Sequence, residues 1–389
     1  MKKILLALLV GLGLQTQAQN YVHQVFILNE GYFDYQTNQI VEPVTLGTYD
    51  PQTQVYTTID TIQSARFGSD LVIDGDHLYV AADNELYKYD KTTYSLVATQ
   101  QIPGIRNLAI YQDKILVSRG EYTTTYDSYL QIYSKIDLSF ITEFDTVIGP
   151  KWSTQNLIVD GNTVYVAINN GFEWGNEKGL VGIIDMNTMT YMNEIDLGPD
   201  GKNPDNMVFD GTDIYTVNNK DFSGASISKI DISTSTSITT NLSTINVGCG
   251  TSCLRDGIIN YQVSGDTELY EWDPQFMSTA GMAIGFTQNF YELAVDNVNN
   301  YLYASSTDWS TYGMVYIYDN NNTLVNTFAC GISPGTIAFD VRSAVGINEL
   351  DYKNVMKGTT YDLFGRKLKS LENQPAGIYL VGGKKVYKR

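Results

Sequence analysis

Histidine is almost missing from this chain, with only His23 and His77 among 389 residues. A Ser/His nucleophile system or a His-built metal centre therefore has little to work with, and any acid–base chemistry would rest on carboxylates. Cysteine is nearly as scarce, at three residues: Cys249, Cys253 and Cys330. Cys249 and Cys253 are close enough to pair within the loop Gly248 to Leu254, leaving Cys330 alone, and a local disulfide and free thiols both stay open. A Cys-x-x-x-Cys with no second ligand pair is a poor zinc signal. Long apolar runs are missing after the N-terminus, so no segment there is expected to span a membrane. Helical apolar spacing is missing too, which favours an all-β fold in a chain rich in Tyr, Thr, Asn, Asp, Ser and Gly.

Basic residues are the other shortage, with 25 Lys and Arg against 43 Asp and Glu. They are also unevenly placed. The segment from Ala344 holds 9 basic and 4 acidic residues and the first residues hold Lys2 and Lys3, which leaves 14 basic against 39 acidic between them, a net charge of about −25. Such a surface repels phosphate backbones, so nucleic acid is not an expected partner. It suits a soluble protein.

What the chain has instead is repetition. A polar residue, three mostly apolar residues and usually Asp recur seven times: Asp70 to Asp74, Asn107 to Tyr111, Asn156 to Asp160, Asn206 to Asp210, Asp256 to Asn260, Glu292 to Asp296 and Thr336 to Asp340. Short-strand repeats of roughly 40 to 50 residues predict a β-propeller. Each copy continues with a second strand, such as His77-Leu78-Tyr79-Val80 or Thr163-Val164-Tyr165-Val166, whose alternation predicts one buried face. A third strand closes on Asp, as in Leu46 to Asp50, Leu86 to Asp90, Val181 to Asp185, Ile227 to Asp231, Leu269 to Asp273 and Val315 to Asp319. A fourth, outer strand completes each unit. The last copy lacks a second strand and the first unit, from Gln24, lacks an opening one. The expectation is a seven-bladed propeller over residues 20–343, closed by pairing the C-terminal strand with the N-terminal three, with the unit from Gly250 to Phe286 the least regular. A monomer is expected.

In a propeller the innermost strand of each blade lines the central channel and begins at one face. Asp70, Asn107, Asn156, Asn206, Asp256, Glu292 and Thr336 should then form a polar ring at the channel mouth, with Arg106, Gln155, Asp205, Arg255 and Tyr291 around it. Such a ring can cap strand starts and hold water, or it can bind a cation or a polar ligand. Loops expected over the same face carry aromatics: Tyr32, Phe33 and Tyr35; Tyr122 and Tyr126; Phe172 and Trp174; Phe222; Trp309 and Tyr312. Aromatics in convergent loops on a rigid scaffold mark a binding face for a small or medium-sized ligand.

The two ends read as addresses. Lys2-Lys3, the apolar run Ile4 to Leu14 and Gln15-Thr16-Gln17-Ala18 read as a signal peptide over residues 1–18, with no following Cys for a lipid anchor. Tyr361 to Leu368 with its Gly365-Arg366, then Pro375-Ala376-Gly377-Ile378-Tyr379, then Lys384 to Arg389, resemble the C-terminal sorting signal of the type IX secretion system, over residues 344–389. That resemblance implies a secreted or surface-attached protein that engages secretion machinery. The opening Val25-Phe26-Ile27-Leu28-Asn29-Glu30-Gly31-Tyr32-Phe33, with Thr48-Tyr49-Asp50-Pro51, is similar to the start of YncE-like surface propellers, a family that includes the lipoproteins capturing vitamin B12 for an outer-membrane transporter. It implies a nutrient ligand, a cobamide among the choices, and a transporter partner. A runner-up is an enzyme resembling the calcium-dependent gluconolactonases, with Asn156, Asn206, Asp256 and Glu292 as oxygen ligands of Ca. A structural adhesin is a third reading.

Overall fold

The computed structural model describes residues 19–122, 124–220, 224–242, 251–262, 267–277, 284–286 and 288–343, and near the C-terminus 359–362, 365–371, 374–375, 377–381 and 384–388. Among them every regular element is a strand. The chain divides into two compact units, Val22–Asp340 and a second one made from the two ends. No helix among the described residues is long and apolar enough to cross a membrane.

The unit Val22–Asp340 repeats one device, a four-stranded sheet, and seven occur among its described residues. The first is ordered Pro334–Ser343, Asn20–Asn29, Val44–Asp50, Val55–Ile62, so the latest strand of the repeat region heads the sheet built from the earliest three. The second to seventh sheets each run in chain order. Their innermost strands are Gly68–Asp74, Ile105–Tyr111, Thr154–Asp160, Pro204–Phe209, Ser252–Arg255 and Glu292–Asp296. A short hairpin, Tyr32–Asp34 with Gln39–Glu42, stands on the first sheet's first connection. This is β-propeller architecture.

Alternation along the second strands is not between core and water, as expected, but between two cores. In His77–Ala82, Leu78, Val80 and Ala82 pack with the first sheet's Phe26, Leu28, Val44 and Leu46, while Tyr79 and Ala81 pack with Ile105, Ile115 and Val117 of the third. The same division recurs in Thr163–Ile168 and in Asp213–Asn218. A Tyr or Ala one residue from a Leu or Val thus serves a different interface. The sequence concealed this because tyrosine passes for a half-polar residue; Tyr79, Tyr215 and Tyr261 are each 1% exposed. The outer strands meet water, as in Leu96–Gln101.

The series of cores continues past the chain's ends. Tyr303, Val315, Ile317 and Phe328 of the seventh sheet share a cluster with Val22, Val25, Ile27 and Tyr49 of the first. There the Tyr49 and Phe328 rings stack at 4.2 Å and 5°. Asn326 donates to the Tyr49 hydroxyl at 2.7 Å.

Aspartates that close the third strands make the tight turns into the fourth. Asp50, Asp90, Asp185, Asp231, Asp273 and Asp319 each accept a backbone N–H two residues on, at 2.7–2.9 Å. These are Asx turns. In the third sheet, where no such Asp was found, Ser134 takes the position and its hydroxyl accepts from Ile136 at 3.2 Å.

One repeat was misregistered by the sequence pattern. Asp256 and Gly257 form a turn with φ of 52° and 78°, and Ile258–Gln262 is the second strand, not the opening one. The opening strand is Ser252–Arg255, so Thr251 stands where Asp256 was expected. Asp-Gly is a tight-turn signal that happened to satisfy the polar–apolar–apolar pattern.

The described residues of the second unit include a sheet ordered Lys367–Leu368, Thr360–Tyr361, Gly377–Val381, Lys384–Lys388. Leu371, Tyr379 and Val381 form its small core. Cys249 lies outside the described residues; Cys253 and Cys330 are buried thiols.

Phe328→Ala removes the ring that joins the seventh sheet to the first and is expected to destabilise the protein by about 3 kcal/mol in urea unfolding. A loss below about 1 kcal/mol would mean that this seam contributes little.

Candidate functional site

Four innermost strands begin with a β-bulge. The ladder shifts between Gly68 and Asp70, Ile105 and Leu108, Thr154 and Leu157, and Asp205 and Met207. A bulge inserts an unpaired residue and re-aims its side chain, and bulges gather next to sites for that reason. The residues left out of the ladders include Ser69, which leads into the paired Asp70, and Asn107, Asn156 and Asn206, the last at φ 49°.

With Glu292 and Thr336 they line a cavity of ≈ 600 Å³ at the strand starts. Six of the seven expected ring residues are therefore brought together, and Thr251 takes the seventh place. Arg106, Gln155, Asp205 and Tyr291 also line it. Arg255 and Asp256 do not. Arg255 is buried at the far end of its strand, donating to Asn322 at 2.7 Å and to the carbonyls of Asn300 and Asp319 at 2.7 Å. Asp256 accepts from Asn300 at 2.6 Å.

Of the loop aromatics, Tyr32, Phe33, Tyr35, Tyr122, Phe172 and Trp309 reach the cavity. Tyr122 meets Phe172 edge-on at 4.9 Å, and Tyr291 meets Trp309 at 4.6 Å. Trp174 does not line it and is 76% exposed. Its loop turns Phe172 inward instead, against Gly120, where any β-carbon would collide with that ring. Tyr126 packs on Arg119, 4.1 Å from its guanidinium, and is also outside the lining. Phe222 lies outside the described residues.

Several lining residues carried no sequence signal of their own. Glu30 belongs to the stretch that suggested a family likeness, but nothing there gave it a role; it accepts a short hydrogen bond from the Tyr291 hydroxyl. A side chain at Gly335 would collide with its carboxylate. Arg66 is held by Asp83 at 2.6 Å and Glu121 at 3.0 Å. Phe67 lies between two guanidinium groups, 5.3 Å from that of Arg66 and 5.3 Å from that of Arg106.

Burial without enough partners shifts the lining acids upward. Desolvation raises Glu30 to about 7, Asp70 to about 6 and Glu292 to about 8, and it raises Asp205 as well. Two of these carboxyls also tie sheets together. Asp70 accepts from the backbone of Leu71 at 2.8 Å and, across to the third sheet, from Leu108 at 2.7 Å. Glu292 accepts from the Thr251 hydroxyl at 3.0 Å, and that oxygen accepts from Leu293 at 2.9 Å.

Other polar groups at the cavity are not so used. The Ser69 hydroxyl and the side-chain oxygens of Asn156 and Asn219 are buried and have no hydrogen-bond partner among the described residues. Such atoms cost about 1–3 kcal/mol each unless something occupies them.

The four oxygen ligands considered for calcium are not assembled, because Asp256 sits away from Asn156, Asn206 and Glu292. Among the described residues no group of three His, Cys, Asp or Glu is arranged to hold a metal ion.

Solved structures place this geometry in a known fold. The chain is similar to a functionally unknown protein from Desulfotomaculum acetoxidans, at 13% identity and TM-score 0.59 over 82% of this chain and 98% of that one. It is similar to a hypothetical selenium-binding protein from Sulfolobus tokodaii, at 9% identity and TM-score 0.62 over 82% and 94%. Hydrazine synthase from Kuenenia stuttgartiensis follows at 16%, with TM-score 0.51 over 70% and 91%. At these identities the likeness is one of fold. No family model matches the sequence. No curated protein matches it.

Glu292 carries a testable consequence. A carboxyl raised from 4.5 to about 8 on folding keeps its proton where the unfolded chain has lost it. Its contribution is therefore full below pH 4.5 and is lost as pH rises through about 8, at up to about 1.4 kcal/mol per pH unit. Glu292→Gln, which mimics the protonated form, is expected to match the parent at pH 5 and to exceed it in urea midpoint at pH 8.5. Parallel pH profiles would contradict this burial.

Proposed function

We propose that this protein is an exported, seven-bladed closed β-propeller that captures a small or medium-sized polar ligand in the cavity at its channel mouth. The observation that carries the binding reading is the set of buried, unpartnered oxygens of Ser69, Asn156 and Asn219 around a ≈ 600 Å³ space. That volume falls within the ~300–1,000 Å³ typical of ligand pockets, and aromatic pairs stand at its mouth. Closure is supported by the succession of cores, in which the seventh sheet packs on the first just as the first packs on the second. Seven blades rest on the seven four-stranded sheets of that unit.

Export and surface location rest on the N-terminal leader pattern and on the Gly365-Arg366, Gly377-Ile378-Tyr379 and Lys384 to Arg389 elements. A nutrient ligand passed to an outer-membrane transporter is the role that the likeness of Val25 to Phe33 to YncE-like propellers suggests. Cobalamin belongs among the ligands tried on that account. An acidic repeat region gives nucleic acid no purchase.

Equilibrium dialysis of the purified chain against cobalamin, neutral and acidic oligosaccharides, amino acids and short peptides tests the reading. Saturable binding of at least one class is expected, weakened by at least about tenfold in Asn156→Trp, which fills the cavity. Binding of no class, or binding indifferent to Asn156→Trp, would overturn it.

A further inference from the structure

Arg106 is the unusual charge in this cavity. Among the described residues two cations line it, Arg66 and Arg106. The first is neutralised by Asp83 and Glu121. Arg106 makes no hydrogen bond and no ion pair among the described residues; its guanidinium lies 4.4 Å from the centre of the Phe172 ring and 5.3 Å from that of Phe67. Stacking of this kind covers the faces of a guanidinium and leaves its N–H edge free, the edge that binds a carboxylate through two parallel hydrogen bonds. Desolvation lowers its pKa, and the carboxylates of Glu121 and Glu30 offset this only through space. A half-buried cation that lines a cavity with no contact partner among the described residues is an arrangement that an anion would complete.

The remainder of the lining narrows what that anion belongs to. Gln155, Asn156 and Asn219 present amides, each both donor and acceptor, as hydroxyl groups require. The unpartnered oxygens of Asn156 and Asn219 ask for donors, which hydroxyls supply and carboxylates or phosphates without hydroxyls do not. A doubly charged phosphate has one free cation to meet and the carboxylates of Asp205 and Glu121 nearby to repel it. Apolar ligands would leave the polar oxygens unmet. Aromatic faces at the rim suit the C–H face of a sugar ring.

Resting on the ligand-capture reading, we propose that the cavity takes an acidic saccharide, with the uronate carboxylate paired to Arg106 and the ring hydroxyls received by the asparagine amides. Glu30 and Glu292 aid this by holding protons near neutral pH, which turns them into hydrogen-bond donors and reduces repulsion of the ligand's charge.

The test is titration calorimetry of the full chain at pH 7 with short oligogalacturonate, its methyl ester and the corresponding neutral galactose oligomer, with a dipeptide as the zwitterionic control. The acid form is expected to bind at least tenfold more tightly than ester, neutral oligomer or dipeptide. Arg106→Gln is expected to abolish the preference, so that the variant binds the acid form and the ester within twofold of each other. The ester comparison needs no variant, so it decides the matter even if Arg106→Gln fails to fold. Equal binding of acid and ester overturns the role of Arg106, and tighter binding of the dipeptide overturns the saccharide. If cobalamin or another class binds and no uronate does, this inference falls while ligand capture stands. If nothing binds at all, both fall.

Discussion

Each second strand is buried on both faces, and the rest of the structure depends on that. A strand such as His77–Ala82 gives Leu78 and Val80 to one neighbour and Tyr79 and Ala81 to the other, so no sheet can be satisfied by packing on one side only. Each sheet therefore packs on a neighbour at either face, and the stacked pair of Tyr49 and Phe328 lies where the seventh sheet meets the first. The innermost strands are thereby made to converge, and whatever residues begin them are forced into company. Residues as far apart in the chain as Asp70 and Glu292 line one cavity for this reason.

Convergence has an electrostatic cost that the chain meets only in part. Carboxyls of Asp70 and Glu292 are satisfied by the backbone or hydroxyl of a neighbouring sheet and help to hold the ring residues in place. Their burial still raises them toward the protonated form. The amide oxygens of Asn156 and Asn219 and the guanidinium of Arg106 receive no such help from the described residues. That division separates groups that build the mouth from groups that are left for something else to meet.

Much of this was legible in the sequence, because its signals were local and repeated. The polar residue opening six of the inner strands identified Asp70, Asn107, Asn156, Asn206, Glu292 and Thr336, and the closing Asp of six third strands identified its turn. Reading failed where a local signal had two meanings. Asp256-Gly257 fitted the repeat and also made a turn, and the turn prevailed because Cys253 and Leu254 already supplied the apolar positions of the opening strand. Trp174 and Phe172 were equivalent as letters, and only the space above Gly120 decided which ring turned inward. Arg66 and Glu121 were invisible for another reason: their meaning lies in an ion pair across 55 residues.

Most direct is a crystal structure of the protein grown or soaked with a short oligogalacturonate. The account predicts density in the cavity with a carboxylate against the edge of Arg106 and hydroxyls within hydrogen-bond reach of the oxygens of Asn156 and Asn219. A cavity filled only by ordered water that satisfies those same atoms, with the saccharide absent or bound elsewhere, would contradict it.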